Sequence, residues 1–142
     1  MAEESRTPDL VALTWEAFAA VNRRDLDATM PLYAPEAVLD ISRTVGVVPQ
    51  GRAAIRRFIE DWIAAYEEFE YVPEEPVELG NGVVFAVVSQ KARPVGVTGY
   101  VHQREGWVCV WVEGLIASIT TYVEAEIDDA RAAGERLAEE RG

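Results

Sequence analysis

Two stretches decide how this chain is read: Val83-Val84-Phe85-Ala86-Val87-Val88 and Trp107-Val108-Cys109-Val110-Trp111-Val112. Each is six residues long and apolar throughout. A strand with one wet face alternates apolar and polar residues, so neither run fits a half-exposed strand. Both faces of the sheet that holds them are expected to be covered. Trp107, Cys109 and Trp111 share one face by the period of two. Each indole hides about 150–250 Å² on burial, an upper bound of roughly 4–6 kcal/mol against a total stability of about 5–15 kcal/mol. Neither ring belongs in water; the rings either fill a core or line a cavity.

The turns around these runs place them in hairpins. Gly80-Asn81-Gly82 precedes the first run, and Asn-Gly tolerates positive φ at both central positions of a tight turn. Lys91–Gly99, with Pro94, Gly96 and Gly99, reads as a bend. Tyr100–Val112 is a second strand, Glu113-Gly114 a turn, and Leu115–Val123 a third strand. Upstream, Phe69–Leu79 is extended but interrupted by Pro73 and Pro76, which predicts short or edge strands.

Before residue 68 the period is helical. Ile55, Phe58, Ile59, Trp62, Ile63 and Tyr66 form one face of a long helix, with Arg52, Arg56, Arg57, Glu60 and Asp61 on the others. Thr7-Pro8-Asp9 predicts a helix start, followed by Leu10, Leu13, Ala17, Phe18 and Val21 at helical spacing. Asp25 caps a shorter helix carrying Leu26, Met30, Leu32 and Tyr33. Pro31 is expected to kink it and Ala34-Pro35 to end it. Ala37–Ser42 reads as a strand and Glu126–Glu140 as an acid-rich terminal helix. The expected class is α+β: three N-terminal helices packed in a curved, mainly antiparallel sheet, plus a C-terminal helix. One domain spans 1–142, with 1–6 and 141–142 as flexible ends.

One face of the sheet takes the helices. The terminal helix offers few apolar residues (Ile127, Ala130, Ala133, Leu137), so it is expected to cover little of the other. A homodimer packed through the sheet is the expected lid.

Charge removes several function classes. Thirteen Lys and Arg stand against 25 Asp and Glu, a net −12. Duplex binding needs the reverse, and an anionic membrane surface is disfavoured for the same reason. One Cys and one His make neither an internal disulfide nor a structural zinc site. No apolar segment approaches the roughly 20 residues of a membrane span, and MAEESRTP has no signal-peptide core. A soluble, cytoplasmic domain is expected, with no metal, cofactor, nucleic-acid or membrane partner.

Several strings resemble the SnoaL-like, nuclear transport factor 2-like superfamily. NRRDLDATMPLYAPEAV, Asn22–Val38, is similar to its second helix and first strand. GRAAIRRFI, Gly51–Ile59, is similar to the start of its third helix, and Trp107 to Val123 resembles its final hairpin. The resemblance runs from about residue 9 to 125. It implies a curved sheet wrapped around a long helix as a cone with an apolar cavity, and in many members a dimer through the sheet. It also implies a choice of chemistries, among them ketosteroid isomerases, polyketide cyclases and epoxide hydrolases, which share carboxylates or histidines pushed into the cavity. The isomerase positions carry Ile41 for the general base, Cys109 for the oxyanion acid and Ala17 for the oxyanion tyrosine, which argues against isomerisation.

The remaining candidates each have a plain structural explanation beside the functional one. Asp40 and His102 are the acid–base pair to weigh against an outward Asp and a strand-edge His. Cys109 reads as an inert core thiol. The expected cavity lining is Phe18, Tyr33, Ile41, Phe58, Trp62, Trp107, Cys109, Trp111 and Thr121, against a filled core. Three readings follow. The preferred one is a pocket protein for a small apolar or aromatic ligand. The alternatives are a lyase, isomerase or hydrolase using Asp40 and His102, and a non-catalytic dimerisation module.

Overall fold

A computed structural model describes residues 9–142. The Thr7-Pro8 helix start and the flexible end at 1–6 lie outside the described residues. Helix α1 spans Leu10–Asn22 and is capped by Asp9, whose carboxylate accepts from the Ala12 amide at 3.1 Å. Helix α2, Leu26–Thr29, is capped by Asp25 in the same way at 3.0 Å. Pro31 then falls in a single 3₁₀ turn, Met30–Leu32, so the kink expected there takes the form of a tighter turn.

Strand β1 begins at Tyr33, earlier than the expected Ala37, and runs to Asp40. Its ladder is irregular between Tyr33 and Val38, where Pro35 has no amide to donate. Helix α3 covers Arg52–Ala64 and stops short of Tyr66. Tyr66 instead opens strand β2, Tyr66–Pro73, although its ring stays 5.2 Å from that of Trp62. Strand β3 is Val77–Gly80, and Pro76 falls in the gap between the two. Strand β4, Val83–Pro94, is longer than expected and pairs with both: β2 along residues 88–94 and β3 along 83–85. Strands β5, Val101–Val112, and β6, Leu115–Val123, complete the sheet. The turns before β4 and β6 have positive φ at Asn81 and Gly82 and at Glu113 and Gly114, as tight hairpins require.

The strand order is β1-β6-β5-β4-β2, antiparallel except for the parallel β1–β6 pair. The sheet curls into a half-barrel around the N-terminal helices, giving the cone-like α+β fold. Inside it a single cluster joins Phe18 of α1, Ile55 and Ile59 of α3, and Trp107, Cys109 and Trp111 of β5.

The outer face corrects one expectation. Helix α4, Ile127–Arg141, packs on it, and Val83, Phe85, Val108 and Val110 join Ala130 and Ala138 in a second buried cluster. The terminal helix, expected to cover little, buries these residues from within the chain. Few large apolar residues are needed, because small residues let the helix approach the sheet closely. A Cβ on Gly106 would sit 2.9 Å from Ala130 Cβ, and one on Gly134 would sit 2.8 Å from Leu79 Cδ1. Two hydrogen bonds fasten the helix end: Asn81 Nδ2 donates to the Ala138 carbonyl and Arg141 Nε to the Asn81 carbonyl. Arg141, expected in a loose end, is thereby tied to the hairpin. No described helix is long and apolar enough to cross a membrane.

Candidate functional site

A cavity of about 90 Å³ lies between α1, α3 and the inner face of the sheet. All nine residues expected to line it do so: Phe18, Tyr33, Ile41, Phe58, Trp62, Trp107, Cys109, Trp111 and Thr121. Aromatic rings form a continuous wall. Phe58 lies 5.8 Å from Trp62, Phe69 4.6 Å from Tyr71, and Tyr71 5.2 Å from Trp107, while Phe18 leans on Trp107 at 5.1 Å. Val45, exposed, and the half-buried Phe58 and Trp62 mark the end that reaches solvent.

The expected acid–base pair is not in this cavity. Leu39 and Ile41 of the β1 edge are buried, so the alternation of the strand turns Asp40 the other way. Asp40 accepts from the Ser42 amide at 3.1 Å and the Ser42 hydroxyl at 2.7 Å, and these bonds hold its carboxyl below the usual carboxylate range. His102 is exposed near the start of β5, opposite Lys91, with its ring 6.4 Å from Tyr100. The structure brings neither to the cavity nor to the other, and the reading built on the pair is corrected. Arg43, three residues beyond Asp40, stacks its guanidinium over the Tyr122 ring at 4.5 Å. Tyr122 belongs to the cluster under α4.

The carboxyl inside the cavity is Glu105. It is 8% exposed, faces inward from β5, and accepts from Trp107 Nε1 at 3.0 Å. Burial pushes its pKa up, because the charged form loses water with no cation to replace it; the indole bond opposes the shift only in part. Among the described residues no Arg, Lys or His lines the cavity. The alternation that grouped Trp107, Cys109 and Trp111 reaches Glu105 two residues earlier, so the signal was in the sequence. The expected acid–base site rested on Asp40 and His102 and left Glu105 out.

Other polar groups converge there. Tyr71 is opposite Gln90 across β2 and β4, and Gln90 is diagonal to Glu105, which pairs with Val88 across β4 and β5. Both residues line the cavity, and Gln90 is only 6% exposed. Burial raises the Tyr33 and Tyr71 hydroxyls well above the usual phenol range, with Glu105 adding to the effect at Tyr71, so both stay protonated donors. Thr44 and Thr121 share a hydroxyl hydrogen bond at 2.9 Å. Burial alone pushes the Cys109 thiol up to about 12, which removes it as a nucleophile near neutral pH. The buried indole nitrogens of Trp62 and Trp111 have no hydrogen-bond partner among the described residues. No cluster of three or more His, Cys, Asp and Glu that could hold a metal ion occurs among the described residues.

A half-barrel sheet closed on its concave side by helices around an apolar cavity defines an α+β cone of the nuclear transport factor 2-like class. The family profile described as a SnoaL-like domain matches residues 15–119, and the chain belongs to that family. Solved structures share the fold at low identity. A protein of unknown function from Burkholderia pseudomallei is 17% identical, with a TM-score of 0.72 over 87% of this chain and 98% of its own. A Mycobacterium tuberculosis protein in complex with estradiol-17beta-hemisuccinate is 17% identical, with a TM-score of 0.70 over 86% and 98%. The epoxide hydrolase/cyclase-like enzyme SalBIII, described with pyran ring formation in the polyether salinomycin, is 21% identical, with a TM-score of 0.69 over 79% and 88%. No curated protein matches the chain significantly.

Proposed function

We propose that this protein binds one small, largely apolar molecule in the aromatic cavity between α1, α3 and the sheet. The observation that carries the reading is an apolar void whose polar groups are few and convergent, the usual constitution of a ligand site. A filled dimerisation core would be expected to close such a void, since each unfilled volume costs contacts. The ligand is small. A dry cavity of about 150 Å³ is known to take benzene, and this one holds about 90 Å³. A ring-sized ligand therefore enters by displacing side chains at the mouth, where Val45 is exposed and Phe58 and Trp62 are half-buried.

Thermal unfolding with toluene, ethylbenzene and indole as probes tests this. A probe at 100 times its Kd adds about 2.7 kcal/mol and raises Tm by on the order of 5–10 °C. The shift should vanish when Ala17→Phe fills the cavity from α1. Absence of any shift with all three probes, together with unchanged tryptophan fluorescence, favours the filled-core reading and overturns this one.

A further inference from the structure

We propose that Glu105, with Gln90 and Tyr71 beside it, forms a polar hook that selects ligands presenting a neutral carbonyl oxygen. The inference deepens the binding reading above and rests on it.

The geometry assigns donors to one end of an otherwise apolar cavity. Trp107 Nε1 occupies Oε1 of Glu105 at 3.0 Å. The second carboxyl oxygen has no hydrogen-bond partner among the described residues, and neither has the Gln90 side-chain amide nor the Tyr71 hydroxyl. All three residues line the cavity, Gln90 and Glu105 being almost fully buried. The sheet register places them side by side: Tyr71 faces Gln90 directly, and Glu105 sits diagonally across β5. The titratable groups lining the same space are Tyr33 from β1, Tyr71 from β2 and Cys109 from β5; α1 and α3 contribute none. Burial raises the Glu105 pKa and so favours the neutral carboxyl, the form that has a proton to donate. A ligand carboxylate would meet no cation among the described residues, and a hydrocarbon would leave three polar groups unpaired, at a cost that specificity can exploit. A carbonyl oxygen accepts from all three. The hook lies four residues before Cys109, the strand position that the family resemblance assigned to the isomerase acid, so it is a separate subsite of this chain.

Ligand-observed NMR titrations with cyclohexanone, methylcyclohexane and cyclohexanecarboxylate, on the wild type, Glu105→Gln and Glu105→Leu, test the hook. Glu105→Leu should weaken cyclohexanone about tenfold and leave methylcyclohexane unchanged or tighter, which also shows that the variant is folded. Glu105→Gln should retain cyclohexanone. Wild-type affinity for the ketone should fall as pH rises through the ionisation of Glu105, and the Gln variant should be flat. Cyclohexanecarboxylate should bind none of them measurably. If methylcyclohexane binds but ketone affinity ignores Glu105, or rises with pH, the hook is overturned while the binding reading stands. If neither neutral probe binds any variant, the binding reading fails and the hook with it.

Discussion

The two faces of the β4–β5 hairpin carry the same kind of sequence and have opposite fates. On the outer face Val83, Phe85, Val108 and Val110 are shut beneath α4, with Gly106 and Gly134 bringing helix and sheet together. On the inner face the side chains alternate with these, and Trp107, Cys109 and Trp111 surround a void with Glu105 at one end. The difference is one of side-chain size at the contact. Small helix residues against the outer, convex face close-pack, whereas large rings on the inner, concave face touch edge to face and leave a gap at the centre. Apolar content alone does not distinguish the two.

Removing residues 127–142 is the largest way to break this comparison. It uncovers the outer valines and Phe85, and the chain is expected to lose its cooperative unfolding transition or to self-associate, read by calorimetry and light scattering. A truncated monomer that melts normally would show that α4 does not close the face. Next in size is Gly106→Val. Its new side chain meets Ala130 and Ile127, so overpacking should cost about 1–3 kcal/mol in urea unfolding. No loss of stability would mean that the helix sits loosely.

The smallest effect sharpens the contrast through pH. Glu105 has a raised folded-state pKa, so its contribution to stability is fully present below the unfolded carboxylate pKa and is lost as pH rises through the folded value. Asp40, outside, is lowered by Ser42, so its contribution is present above the unfolded pKa and is lost as pH falls through the folded value. Stability–pH curves of Glu105→Gln and Asp40→Asn should therefore differ from wild type with opposite slopes. Parallel curves would place both carboxyls in the same surroundings.

Much of the fold was legible because it rests on local rules. Asn81-Gly82 and Glu113-Gly114 set the hairpins, the Ile55–Ile63 stripe set α3, and Pro31 set the tight turn after α2. Element ends were less legible where pairing decides them. Tyr66 continues the helical stripe by spacing but joins β2, since β4 offers it a ladder opposite Pro94. The cavity lining was readable from aromatic side chains at strand and helix spacing. The acid–base pair was not, because whether Asp40 points in or out depends on the register of β1 on β6, which brings Asp40 opposite Thr120.

The sequence by itself determined the order of elements, the acidic surface, the apolar hairpin and the face shared by Trp107, Cys109 and Trp111. These follow from steric preference and periodicity within a few residues. Only the tertiary structure decided that α4 covers the outer face, that Asp40 and His102 lie outside, and that Glu105 lies inside beside Gln90 and Tyr71. Each of those depends on which residues distant in the chain approach within a few ångströms. Burial, and with it the raised pKa of Glu105, is a property of that approach and of no residue alone.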